Sequence, residues 1–153
     1  MPILHVICGV PCSGKSTLAK KLENEHPALR LTPDEWMHRI IGDKYNEEKR
    51  IAVEKIQGEI AEQALRLGVD VILENGFWTK KERDHLGDMA KRVGAARKLY
   101  YLDISHEELL RRLEERNKNL PPNTFYIGDS WIENALKTFE VPNGDEPDLI
   151  VII

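Results

Sequence analysis

Cysteine is scarce in this chain: only Cys8 and Cys12 occur. Their C-x3-C spacing fits neither a redox C-x-x-C pair nor a paired zinc knuckle, and Cys8 closes an apolar run and reads as core. No apolar stretch approaches the roughly 20 residues that cross a bilayer, so no membrane partner is expected. The opening "MPILHVICG" has no basic segment ahead of its short apolar run. It reads as a strand and not a signal peptide, and a cytoplasmic location is the expectation. Basic residues are outnumbered as well: 22 Lys and Arg against 26 Asp and Glu give a net charge of −4. That balance argues against a nucleic-acid partner, whose affinity would rest on clustered Lys and Arg, although a local basic groove would still admit one. Repeats, low-complexity tracts and Gly/Ser linkers are also missing. What remains is an ordinary globular composition, 41% hydrophobic and 31% charged over 153 residues. That length is met most simply by a single domain spanning 1–153, as a monomer or weak dimer.

Short apolar runs alternate with longer amphipathic ones. "ILHVIC" (Ile3 to Cys8), "ALRL" (Ala28 to Leu31), "VDVILE" (Val69 to Glu74), "RKLYYLDI" (Arg97 to Ile104) and "DLIVII" (Asp148 to Ile153) read as strands. Three are nearly continuous apolar runs, as in parallel strands covered on both faces. "TPDE" (Thr32 to Glu35), "TKKE" (Thr79 to Glu82) and "SHEE" (Ser105 to Glu108) carry the capping-box spacing that opens helices. The longest helix, about Glu47 to Leu67, places Ile51, Val53, Ile56, Ile60, Ala61, Ala64 and Leu65 largely on one stripe and ends at Gly68. Alternating strands and helices imply right-handed crossovers and a doubly wound α/β sheet. "NKNLPPNTFYIGD" (Asn117 to Asp129), with Pro121-Pro122 and no periodicity, reads as a loop placed to cover a site.

The turn after the first strand carries the most specific signal. Gly9-Val10-Pro11-Cys12-Ser13-Gly14-Lys15-Ser16 fits G-x-x-x-x-G-K-[ST], with a strand before it and a helix after. Glycines let successive N–H groups turn inward on an anion, and the helix N-terminus adds partial positive charge. Lys15 is spaced to reach the outer phosphates of a nucleoside triphosphate and Ser16 to offer a hydroxyl to Mg²⁺. Gly9, Pro11, Cys12, Ser13, Gly14, Lys15, Ser16 and Thr17 are therefore the candidate nucleotide-binding residues. G-x-G-x-x-G is absent from this turn, which disfavours a dinucleotide site, and "NKNL" lacks the Asp of a guanine-reading Asn-Lys-x-Asp.

Three further stretches are candidates for the chemistry. Asp34, in "LTPDEWMHR" after the second strand, stands at the carboxyl edge where α/β sheets bind ligands. There it is either the base for an attacking hydroxyl or, with Glu35, a charge complement to a helix N-terminus. In "VILENGFW", Glu74 ends a strand where a carboxylate would support the metal; Asp103 in "LYYLDIS" competes for that role. Arg112 and Arg116 share one face of "ELLRRLEERNKN". They are either cations closing over a transferring phosphate or part of a solvated, Glu-laced face.

With these residues in hand, the chain resembles the AAA_33 group of small P-loop kinases, relatives of zeta toxins, chloramphenicol phosphotransferase and the kinase module of polynucleotide repair enzymes. The phosphate loop, "TPDEW", "ENGFW" and "RRLEERN" carry the likeness. The resemblance implies a three-layer α/β fold with a five-stranded parallel sheet in order 2-3-1-4-5, helices on both faces and a small lid at about 111–128. It implies ATP with Mg²⁺ and phosphorylation of a hydroxyl, with Lys15, Asp34, Arg112 and Arg116 in catalytic positions. Ser16 and Glu74 would serve the metal, and Asp34, Trp36, Arg39, Asn75 and Trp78 the acceptor. Polynucleotide-kinase relatives carry Asp-x-x-Arg, whereas Met37 stands third after Asp34 here and Arg39 fifth. A small-molecule acceptor is therefore the first expectation. A polynucleotide or nucleotide kinase stands second, and a non-catalytic ATP-binding sensor is the reading from another class.

Overall fold

Residues 1–122 and 124–153 are described in a computed structural model of the chain; Asn123, inside the loop read at 117–129 and the lid read at 111–128, lies outside them. All five apolar runs become strands: β1 (Ile3–Cys8), β2 (Ala28–Leu31), β3 (Asp70–Gly76), β4 (Ala96–Leu102) and β5 (Leu149–Ile152). They form one parallel sheet in the order β2-β3-β1-β4-β5. β1 lies at its centre, paired through Leu4 with Val71 of β3 and Arg97 of β4. A strand's side chains alternate between faces, and here both faces are apolar. Leu4, Val6 and Cys8 join a cluster with Ala61, Leu65, Leu86 and Met89, while Ile7 meets Ala19 and Leu22 on the other side.

The covering helices are α1 (Lys15–Glu25), α2 (Pro33–Trp36), α3 (Glu47–Arg66), α4 (Lys80–Arg92), α5 (His106–Lys118) and α6 (Asp129–Thr138). Helix α3 ends as expected, with Gly68 at φ +82° just beyond its last turn. Its buried stripe is narrower than the sequence reading: Val53, Gln57, Ala61, Ala64 and Leu65 face inward, but Ile51 and Ile56 are exposed. At 3.6 residues per turn those two fall on either side of the stripe. The Thr79–Glu82 capping box forms in both directions, and Ser105 caps the Glu108 amide. Thr32 caps nothing, because its hydroxyl donates to Glu74 and accepts from Arg30. Among the described residues no helix is long and apolar enough to cross a membrane.

A five-residue π-helical turn, Met37–Ile41, follows α2 and ends at Gly42, whose N–H donates to the Met37 carbonyl at 2.7 Å. Such wide turns recur at functional sites. Another feature with no sequence signal is a buried ion pair. Arg83 of α4 is fully buried, donates to Glu146 at 2.7 and 3.1 Å, and donates to the Phe77 carbonyl at 2.8 Å. Arg97 adds bonds to the carbonyls of Arg83 and Pro147. Phe77 sits at φ +45°, so this network holds the end of β3 in a left-handed conformation that a non-glycine residue adopts at a cost. Removing one partner leaves a buried charge uncompensated. Glu146→Gln or Arg83→Met should therefore lower unfolding free energy by about 3–5 kcal/mol in urea titration, whereas a change under about 1 kcal/mol would mean the site hydrates.

Candidate functional site

The turn from β1 to α1 is shaped by positions where only a small or left-handed residue fits. A Cβ on Gly9 would stand 2.6 Å from Ser13 Oγ, and Gly14 has φ +103°. The Gly9 N–H donates to the Gly76 carbonyl at 3.1 Å, which ties the loop to β3. Cys12 is also left-handed at φ +65°, and the Ser13 N–H bonds back to the Val10 carbonyl. Helix α1 then begins with neither a side-chain cap nor an acidic residue in its first turn. Its first-turn amides and positive dipole end thus face a hollow that suits an anion. Pro11, Cys12, Gly14, Lys15, Ser16 and Thr17 line that hollow, whereas Gly9 and Ser13 shape the loop from behind. Gly9 and Ser13 spend their N–H groups on the Gly76 and Val10 carbonyls and Pro11 has none, so the amides of the expected set left for a ligand are those of Cys12 and of Gly14 to Thr17.

The hollow opens into a cleft of about 560 Å³. Lys15 Nζ donates to the Val10 carbonyl at 2.9 Å; burial lowers its pKa, opposed by the Asp34 and Glu74 carboxylates. Glu74, 6% exposed at the end of β3, accepts from Thr32 Oγ1 at 2.6 Å and lies 3.7 Å from Arg30. Burial pushes its pKa up, while the Thr32 hydroxyl, Lys15, Arg30 and the Ser16 hydroxyl draw it down. Its second oxygen is buried without a partner among the described residues, the condition of a carboxylate awaiting one. Asp103 is exposed and does not line the cleft.

Asp34 lines the cleft with its side chain half-exposed, and Arg50 of α3 donates to it at 2.8 Å. Arg50 also meets Glu54 at 3.2 Å; burial opposes its charge, but the two carboxylates raise its pKa nonetheless. On α5 the arginines separate by role. Arg111 is exposed and spent on Glu108 and Glu115. Arg112 and Arg116 turn into the cleft: Arg112 Nη1 reaches the Ser13 carbonyl at 3.4 Å, and Arg116 Nη1 is buried with no partner among the described residues. Arg112 Nε also donates to Glu108 at 2.9 Å, so the Glu-laced face claims part of Arg112, whereas Arg116 makes no such pair among the described residues.

The expected acceptor residues divide as well. Asn75 and Trp78 line the cleft, and Asn75 Oδ1 is buried and unpartnered among the described residues. Trp36 and Arg39 do not line it. Trp36 packs on the core cluster beside α3, and Arg39 is exposed because the π turn gives the inward position to Met37. Lys44, Arg50 and Trp131 line the cleft with no forewarning, and Phe125 lines it from the loop read as covering a site. Within "DKYNEEKR" the first two look like solvated charges, and only the tertiary fold brings them to the site.

A phosphate loop leading from the central strand of a 2-3-1-4-5 sheet, with carboxylates at the neighbouring strand end and arginines from the helix after β4, defines the P-loop kinase class of fold. The chain belongs to the AAA_33 family, described as an AAA domain, whose model matches residues 4–142. A gluconokinase from Sinorhizobium meliloti 1021 has a similar structure, with a TM-score of 0.70 at 20% identity over 99% of this chain and 82% of that one. Kti12 of Chaetomium thermophilum, solved with ADP-AlF3, matches at TM-score 0.69 and 18% identity over 97% of this chain and 88% of that one. A chain of the Pnkp1/Rnl/Hen1 RNA repair complex matches at TM-score 0.72 and 22% identity, over 90% of this chain but 43% of that one. Among proteins of curated function, none matches the sequence.

Proposed function

We propose that this protein is a kinase that transfers the γ-phosphoryl group of ATP to a hydroxyl of a small molecule. The observation that carries this reading is the convergence of Lys15, Asp34 and Arg116 on one cleft beside an uncapped helix N-terminus. The loop amides and Lys15 hold the phosphate chain. Asp34, steered by Arg50, accepts the proton of the acceptor hydroxyl as its oxygen bonds to the γ-phosphorus. The bond from that phosphorus to the bridging oxygen breaks, and its electrons leave with ADP. Arg112 and Arg116 stabilise the charge on the phosphoryl oxygens. Ser16 and the free oxygen of Glu74 suit a magnesium ion, directly or through its water, and that ion when bound neutralises phosphate charge. Asn75 and Trp78 face the acceptor.

The chain acts as one domain over 1–153, with 111–128 as its lid. The similarity to a gluconokinase favours a small hydroxylated acceptor. The negative net charge and the missing Asp-x-x-Arg weigh against a nucleic-acid one. The test is a screen of hydroxylated metabolites with ATP–Mg²⁺, read as ADP release with the mass of the product; ATP bound but transferred to nothing would point to a sensor instead. Lid closure has its own readout. A non-hydrolysable ATP analogue should protect backbone amides in 111–128 from hydrogen exchange, and unchanged exchange there would deny the end of α5 and the loop after it a lid role.

A further inference from the structure

Lys44 is a cation without an ionic partner in a place where cations need one. Only 8% of it is exposed, yet among the described residues it makes no ion pair. Its Nζ donates to the Tyr126 carbonyl and lies over the rings of Tyr45 and Trp131, 4.9 and 5.3 Å from their centroids. A carbonyl and two ring faces orient an ammonium but do not neutralise it. The carboxylate that influences it, Asp34, is already bonded to Arg50. Its cationic neighbours are Arg116 and Arg50, and burial together with these two depresses its pKa. Arg116, meanwhile, carries the buried Nη1 that lacks an acceptor. Both side chains line the cleft. Two partly desolvated like charges converging on one hollow repel each other unless an anion stands between them.

We propose that Lys44 and Arg116 form a second anion subsite of the cleft, outside the phosphate loop, which holds the oxygens of the phosphoryl group in transit from nucleotide to acceptor. This assignment rests on the kinase reading and adds to it a cation from the segment between the π turn and α3. Arg116 belongs to α5 and Lys44 to the segment before α3, and both line the cleft together with Asp34 and the phosphate loop. The Tyr126 carbonyl ties that cation to the loop before α6, and the subsite is complete only while loop and lysine are docked together.

The experiment compares ADP–Mg²⁺ with ADP–Mg²⁺–aluminium fluoride, a mimic of the group in transit, using tryptophan fluorescence from Trp78 and Trp131 beside the site. In the wild type aluminium fluoride should tighten ADP binding. Lys44→Met should keep ADP affinity within about twofold but lose about 10²-fold of the tightening, the scale of one preorganised donor to a developing anion. Lys44→Arg should restore most of it. Full tightening in Lys44→Met would overturn the subsite. A parallel fall in both affinities would overturn it too, since Lys44 would then merely dock the loop. Unchanged nucleotide complexes with a raised acceptor KM would assign the anion to the acceptor and refute the phosphoryl assignment. Wild type that binds no ADP would instead refute the kinase reading itself.

Discussion

Lys15→Ala is expected to lose measurable phosphoryl transfer and to bind ATP–Mg²⁺ much more weakly, with a drop in turnover of about 10²–10³ or more. The reason lies in what the backbone alone can offer. Gly9 spends its N–H on the Gly76 carbonyl and Pro11 has none, so the loop presents fewer donors than its length suggests. The first turn of α1 contributes amides and a partial positive charge, but neither travels with the outer phosphates. Lys15 is the mobile full charge of that hollow, and its present bond to the Val10 carbonyl is one that a phosphate oxygen outcompetes. Thermal-shift titration with ATP–Mg²⁺ checks this, with ADP release as the second measure. Equal binding by wild type and variant would remove Lys15 from the site.

The second large effect belongs to Asp34→Asn. This variant should fold with an unchanged urea midpoint, bind ATP normally and lose about 10²–10⁴ in turnover with whichever acceptor the screen identifies, the loss expected of a general base. Its side chain is half-exposed, and Arg50 retains Glu54 at 3.2 Å, so the substitution leaves no buried charge stranded. That separates it from a stability effect. Near-wild-type turnover would leave Asp34 only its ion pair with Arg50, and the base would have to be sought elsewhere in the cleft.

How much of this was legible in the sequence depended on how local the cause was. The bounds of β1 and β2 follow from short apolar runs punctuated by Gly9 and Pro27, and the phosphate loop from residue types that its backbone angles require. The sheet order came only with the AAA_33 resemblance, whose motifs sit at strand ends that the topology brings together. Trp36 packs on the core cluster instead of lining the cleft, and Arg39 lies in a π turn that gives the inward position to Met37; nothing local announces either. Lys44 and Arg50 were invisible because a charged residue looks the same whether it meets water or, as here, a carbonyl and rings or a carboxylate from another element. The Arg83–Glu146 pair spans 63 positions, beyond any periodicity.

The central position of β1 has a consequence for biosynthesis. This strand, with four of its side chains wholly shielded from solvent, precedes in the chain both strands that flank it. Its partners across Leu4 are Val71 and Arg97, so its second neighbour leaves the ribosome roughly 90 residues later. At ordinary elongation speeds that interval is on the order of ten seconds; β3 emerges before its end, but the β4 edge of Ile3–Cys8 stays unpaired throughout. The nascent chain therefore offers holdase chaperones an early target, and slowing translation between β3 and β4 should lengthen their association with it.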